Sequence, residues 1–394
     1  MEIIARRVES LSGSIAWVFF ALNAKPTSMR RALAERLARH SSVVIVGNSI
    51  SALRNHAGMP FSQRRRPLDG YEHAWRYQPM HYPERIPIVG KLCKRLNRRK
   101  LLLEVEALLP SDTPRIFCYD SPTQHSVVGL LGESLSVYLA IDDRTLTVTG
   151  EPIKGELEAE QELLNKVDSV ICVSQPLADT LQSRAPRGRT LPIYVLPNGY
   201  DERIFNPTLP CDEPEAIRKI PRPRMLVSGH VSERIDWEGI AAASRLRPHW
   251  SWVFVGPSDA GITERISGIP GKRGFWHPQI ALADVPAWIK HCDACAVPYR
   301  LNDFTCASSP LKAIEYLAMG IPVLSTGVPS LGRYGNVIQW VKESDGKSYA
   351  QALDACASVE TEPARHQARR YAVKADSWET RVSQFKDILF SGNP

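Results

Sequence analysis

The sequence predicts an α/β protein of two similar halves, each with its own parallel sheet, facing each other across a cleft. Three observations lead there. Short apolar, β-branched runs alternate with longer helical patterns along most of the chain, as in successive βαβ units. The alternation pauses once, at the proline- and charge-rich stretch "YDERIFNPTLPCDEPEAIRKIPRPR". At 394 residues the chain is too long for one ordinary core and suits two domains of about 100 to 200 residues.

In chain order the first half reads as strand "SIAWVFFAL", helix "SMRRALAERLARH" and strand "SVVIVG". Strands "RIFCYD" and "LSVYLAID" follow, then a polar helix "KGELEAEQELLNKV", strand "DSVICVS", helix "PLADTLQSRA" and strand "IYVLPNG". The second half restarts with "RMLVSGHV", a helix near "WEGIAAASRLR", strand "SWVFVGP" and helix "LADVPAWIKHC". Strand "DACAVPY", helix "PLKAIEYLAMG", strand "IPVLST" and C-terminal helices complete it. Open parallel sheets bind ligands beyond the carboxyl ends of their strands, so two facing sheets place a ligand in the cleft between them.

The apolar run "SIAWVFFALNA" spans 11 residues, short of the ~20 that cross a bilayer, and reads as a buried first strand. Eight cysteines are scattered, and the one close pair, Cys292 and Cys295, has no second pair to complete a zinc site. This usage fits reduced thiols in a cytoplasmic protein. Net charge is +7, and between Phe61 and Lys100 eleven Lys or Arg face three Asp or Glu, an excess of eight that covers all of it. The segment "VGKLCKRLNRRKLLLEVEALL" pairs Leu92, Leu96 and Leu103 with a basic polar face, as in helices that lie on anionic lipid. A solvated basic surface helix carries the same residues. Nucleic-acid binding is disfavoured, because no recognisable module or repeated base-stacking aromatics accompany the charge.

The densest chemical signal is "ASSPLKAIEYLAMGIPVLST", Ala307 to Thr326. Ser309 before Pro310 reads as a helix start, with serine capping and proline in the first helical position. The free backbone donors of such an end favour phosphate, and Ser308, Ser309 and Lys312 add hydroxyls and a positive charge. Glu315, one turn on, is placed to accept from sugar hydroxyls. Gly320 ends the helix and Pro322 prevents its continuation. Capping alone explains Ser309, Pro310 and Gly320; it does not explain Glu315 beside Lys312 in so apolar a segment.

That segment, with "VDSVICVSQPLADTL", "VLPNGYDERIFNP" and "LVSGHVSERIDWEGI", resembles the hallmark regions of bacterial GT-B glycosyltransferases. The similarity is to the retaining, family 4-like group 1 enzymes that include capsule and exopolysaccharide synthases, and it runs from about Arg115 to the end. The resemblance implies two Rossmann-like domains facing across a cleft: an acceptor-binding domain over residues 1–205 and a nucleotide-sugar-binding domain over 206–375. Residues 376–394 would form a C-terminal helix packing back on the first domain. It also implies that Glu315 holds the ribose and that the helix start at Ser308 and Ser309 receives the diphosphate.

Several positions depart from the pattern. Ala307 stands where many relatives carry a second glutamate that touches the donor sugar, an absence shared by a subgroup of the "PLK" form. Asn302 matches an asparagine of that subgroup and is a candidate sugar contact. Relatives neutralise the leaving diphosphate with an arginine and a lysine after the first strand of this domain; here Gly229 and His230 occupy that turn and Arg234 is the remaining cation. A surface salt bridge from Arg234 to Glu233 or Asp236 is the alternative.

Asp142 and Asp143 end a strand where the cleft should lie, and a carboxylate there would orient or deprotonate an acceptor hydroxyl. Two solvated turn aspartates would look the same. His125 follows another strand end and is a candidate for the acceptor side. Lys25, Thr27 and Arg30 follow the first strand, where relatives approach the donor phosphates. Phe275, Trp276 and His277 fall in the loop that usually holds the base, although core packing serves Trp276 equally.

No metal and no cofactor are expected, because helix dipoles and basic side chains take the role of a cation in this type. The expected activity is transfer of a sugar from a nucleoside diphosphate donor, with retention, to a glycan or lipid-linked oligosaccharide in polysaccharide biosynthesis. The expected place is the cytoplasm, peripheral on the inner membrane face. A sugar-nucleotide epimerase of the same fold and a non-catalytic nucleotide-sugar-binding subunit are the alternatives.

Overall fold

The computed structural model describes residues 15–20, 28–48, 50–51, 59–68, 70–82, 90–358 and 362–391. The N-terminal sheet has eight strands: β1 (Ala16–Phe20), β2 (Ser42–Val46), β3 (Arg65–Pro67), β4 (Ala74–Tyr77), β5 (Arg115–Tyr119), β6 (Leu135–Ala140), β7 (Ser169–Cys172) and β8 (Ile193–Val195). Their spatial order is β8-β7-β6-β5-β1-β2-β4-β3, parallel throughout except for the β3–β4 pair. Helices α1 (Met29–Leu37), α2 (Gly90–Glu106), α3 (Glu156–Leu164) and α4 (Gln175–Arg184) make the crossovers. All five residues of β1 and all six of β6 are buried, as expected where both faces of a parallel sheet are covered.

The C-terminal sheet has six strands: β9 (Arg224–Ser228), β10 (Ser251–Val255), β11 (Gly274–His277), β12 (Ala294–Val297), β13 (Val323–Thr326) and β14 (Ile338–Val341). Their order, β11-β10-β9-β12-β13-β14, reverses between β9 and β12, so the switch point lies at the carboxyl ends of those two strands. Helices α5 (Trp237–Leu246), α6 (Val285–Lys290), α7 (Leu311–Ala318), α8 (Gly346–Ala357) and α9 (Pro363–Ala372) cover the faces. Alternate residues divide between two cores: Leu226, Val253 and Val255 belong to one, Met225, Val227, Trp252 and Phe254 to the other.

The last helix, α10 (Trp378–Ser391), joins the core of the N-terminal sheet through Trp378, Val382, Phe385, Ile388 and Leu389, with Phe385 5.7 Å from Trp17 between ring centroids. The chain therefore crosses between the sheets twice. The crossings are tied together where Tyr200 donates to the Asp376 carbonyl (3.0 Å) and Trp378 donates to the Tyr200 carbonyl (2.9 Å).

Two local expectations change. Pro310, not Ser309, takes the N-cap of α7 and offers no side-chain cap; the Ser309 hydroxyl instead accepts from Asn198 N–H at 3.4 Å. The expected loop "RGFWHP" contains edge strand β11, which pairs in register with β10 from Trp252 to Val255.

Candidate active site

Two glycines open the site. Gly229 follows β9 with φ of 120° and Gly256 follows β10 with φ of 142°, conformations that side chains resist. A Cβ on Gly256 would overlap the Gly229 carbonyl oxygen, so the two strand ends approach as closely as backbones allow. Helix α7 is pinned beside them, because Ser228 N–H donates to the Tyr316 hydroxyl (2.8 Å) and the two hydroxyls lie 2.9 Å apart.

Between these elements and the N-terminal domain lies a cavity of about 410 Å³. Gly229, His230, Arg234, Ser308, Ser309 and Lys312 line its wall on the C-terminal side, and Asp142 reaches it from the loop after β6. Gln279, Ile280, Leu282 and Val285 form a further, largely apolar wall after β11. These residues belong to the stretch "RGFWHPQIALADVP" expected to hold the base, but it is Gln279 to Val285 that line the cavity and not Phe275, Trp276 or His277.

Arg234 has neither of the ion pairs considered for it. Glu233 pairs with Arg265, and Asp236 caps the Gly239 N–H and accepts from Ser344 and Tyr349. Arg234 instead lies over the Tyr299 ring at 5.0 Å and donates to the His230 carbonyl at 2.9 Å. Lys312 Nζ lies 2.6 Å from Glu315 Oε2. Glu315 is fully buried, and burial raises its carboxyl above the usual range despite the ammonium beside it. Lys312 lines the cavity and Glu315 sits behind it.

The paired aspartates diverge in the loop that follows β6. Asp142 faces the cavity. Asp143 is buried in a network, bound by Arg184 at 2.9 Å and by the Thr145 hydroxyl at 2.7 Å. Burial alone would raise its carboxyl, but these bonds outweigh it and hold it below the usual range. Arg184 also binds Glu160, whose hydrogen-bond partner is Tyr138. Asp143 thus ties the loop after β6 to α3 and α4 and does not line the cavity.

Other candidates are engaged elsewhere. Asn302 caps the short helix Asp303–Cys306 and donates to the Val148 carbonyl at 3.2 Å, linking the domains outside the cavity wall. Trp276 donates to the Gly256 carbonyl at 3.0 Å, supporting the strand end from outside, and is too exposed for a core residue. His277 packs on Trp288 at 4.8 Å and is likewise off the wall. His230 lines the cavity with its Nε2 2.7 Å from Asp259. His125 lies in the 3₁₀ turn after β5, where its carbonyl accepts from Lys166, and is not a wall residue. Arg30 is buried on α1 against Asp120, with burial pulling its guanidinium down to about 10 and Asp142 opposing that fall. Lys25 and Thr27 lie outside the described residues. Among the described residues no cluster of three metal-ligating side chains is present.

Two parallel-sheet domains with a cavity at the switch point of the second define a GT-B type protein. Residues 222–358 match the family model described as Glycosyl transferases group 1. A putative teichuronic acid biosynthesis glycosyltransferase of Bacillus subtilis, TuaH, is 22% identical over 232 residues, 57% of each chain, so the match spans little more than half of that relative's length. Sucrose-phosphate synthase from Thermosynechococcus elongatus superposes with a TM-score of 0.68 at 18% identity, over 97% of this chain and 100% of that one. Anabaena HepE in complex with UDP superposes with a TM-score of 0.63 at 16% identity, over 96% and 100%. Residues 222–358 thus resemble the group 1 glycosyl transferases, and the chain as a whole shares the fold of the GT-B enzymes.

Proposed function

We propose that the protein transfers a glycosyl group from a nucleoside diphosphate sugar to a glycan or lipid-linked oligosaccharide acceptor in polysaccharide biosynthesis, with retention of configuration. The observation that carries this is the cavity itself, with Arg234, Lys312 and the start of α7 on one wall and Asp142 on the other. Charge grows on the diphosphate as the glycosidic bond breaks. Two cations and the helix dipole, held in a recessed site, stabilise that charge where it develops.

In this reading Lys312 turns from Glu315 to the diphosphate, and the released carboxylate takes the ribose hydroxyls. Asp142 orients the acceptor hydroxyl or the transferred sugar. The Gln279–Val285 wall, largely apolar, holds the base. UDP is the first choice of nucleotide, because solved HepE structures of the same fold hold UDP and UDP-glucose; GDP is the second. A lipid-linked acceptor would bring the enzyme to the cytoplasmic face of a membrane.

Calorimetric titration of UDP, GDP, ADP and TDP into wild type and Glu315→Ala tests the donor site. Selective binding of one diphosphate, lost in the variant, is expected; binding of none would defeat the proposal. Product analysis with and without acceptor then separates transfer from epimerisation, which would consume the donor without an acceptor.

A further inference from the structure

We propose that the outward face of α2 docks on an anionic lipid surface by inserting a stripe of leucines between arginines. The helix has two faces of different character. Inward, Val105 is buried, Leu101 and Leu102 pack on the N-terminal core, and Glu104 is held by Arg64 and Tyr77. Asn97 fixes the amino-terminal half, accepting from Tyr82 N–H (2.7 Å) and donating to the Tyr82 carbonyl (2.9 Å).

Outward, Leu92, Leu96 and Leu103 are 56%, 46% and 63% exposed. At ~100° per residue these positions fall within about 40° of one another, so they form one line along the helix. Arg99 lies in that line and Arg95 beside it, both exposed, with Arg98 exposed further round. Among the described residues none of these three arginines makes an ion pair, while the two carboxylates of the helix are turned to Arg64 and Arg115. The sequence of α2 holds six Lys or Arg against Glu104 and Glu106 alone.

Three aligned exposed leucines are costly in water, and a nucleic acid would have no use for them. A bilayer surface accommodates both chemistries, with leucines among the acyl chains and guanidinium groups at the lipid phosphates. Among the described residues no helix is long and apolar enough to cross a membrane, so the contact lies on the surface. Docking of this kind serves the lipid-linked acceptor proposed above, and its geometry is independent of that proposal.

The test is sedimentation of the full chain with vesicles of equimolar phosphatidylglycerol and phosphatidylcholine, against phosphatidylcholine alone. Wild type should partition to the anionic vesicles, more weakly as salt rises. Leu92→Ser/Leu96→Ser/Leu103→Ser and Arg95→Gln/Arg98→Gln/Arg99→Gln should each lose about tenfold or more. Nucleotide affinity, measured on the same samples, should stay at the wild-type value and so report intact folding. Failure of wild type to bind, or retention of wild-type partition by either variant, overturns the docking. Vesicle binding without binding of any nucleoside diphosphate leaves the docking standing and defeats the donor reading instead.

Discussion

The Lys312 ammonium stands 2.6 Å from the Glu315 carboxylate, one turn apart on α7, with the lysine on the cavity wall and the glutamate wholly buried behind it. A carboxylate in that position opposes folding and needs its partner, which suits a group kept for a ligand.

Glu315→Gln separates the two roles. The buried carboxyl titrates above its ordinary value of about 4.5, so the folded protein keeps the proton where the unfolded chain has lost it. Its contribution to stability is fully present below that ordinary value and declines as pH rises through the folded value. Glutamine does not titrate, so the Tm of the variant relative to wild type should climb across the same window. Nucleotide affinity should fall at least about tenfold, ~1.4 kcal/mol. Thermal melts from pH 4 upward, paired with calorimetry, check both. Unchanged affinity would remove Glu315 from the donor site.

Asp142 and Asp143 should answer differently to the same substitution. Asp143→Ala strips Arg184 of a buried partner and should cost about 3–5 kcal/mol in denaturant unfolding. Asp142→Ala should leave stability within about 1 kcal/mol of wild type and lower kcat. The Asp143 carboxyl lies below its unfolded value, so its contribution is present above that value and is lost as the solution is acidified through the folded one. Equal destabilisation by both substitutions would contradict the division of labour.

Much of the architecture was legible because buried parallel strands read as unbroken apolar runs, as in "AWVFF" and "LSVYLA". Three outer strands were not: "RRP" and "GFWH" at sheet edges, and "AWRY" next to one, carry polar or glycine residues that interrupt the apolar run. At the site, the candidates on α7 and after β9 sit together because two glycine-ended strands and one helix converge there. Asp143, Asn302, Trp276 and His277 went elsewhere because side-chain direction is set by residue parity and tertiary partners, which a motif position does not reveal. The Gln279–Val285 wall lies in the loop the resemblance pointed to, but the candidates named there, Phe275, Trp276 and His277, fall on or beside the edge strand before it and off the cavity.

Gly256→Ala should be among the most damaging single changes in the C-terminal domain. The added Cβ would meet the Gly229 carbonyl at a φ of 142°, where overlap and backbone strain add. A loss of at least about 3 kcal/mol is expected by chemical denaturation. A variant as stable as wild type would show that the strand ends can separate.

Among the described residues Arg234 makes no ion pair, so Arg234→Ala should leave Tm nearly unchanged while kcat falls about 10²–10³-fold, the scale of a transition-state charge contact. Arg234→Lys keeps the charge and should recover part of it. A loss confined to KM would assign Arg234 to ground-state binding instead.

Ala307 gives the sharpest test of how far relatives' residues transfer. Its side chain is 4% exposed and packs with the core of the N-terminal domain, and its carbonyl accepts from the Ser174 hydroxyl across the domain boundary at 2.6 Å. Asn198 makes a second tie, donating to the Ser309 carbonyl at 2.7 Å. A glutamate at 307 would bury an unpaired carboxylate in this contact, so Ala307→Glu should lower stability by about 3 kcal/mol or more and weaken donor binding. Thermal melts, nucleotide titration and a transfer assay of that variant decide the matter: an intact Tm with faster transfer would mean that the glutamate reaches the donor sugar, and that the alanine has cost this protein a contact its fold still accommodates.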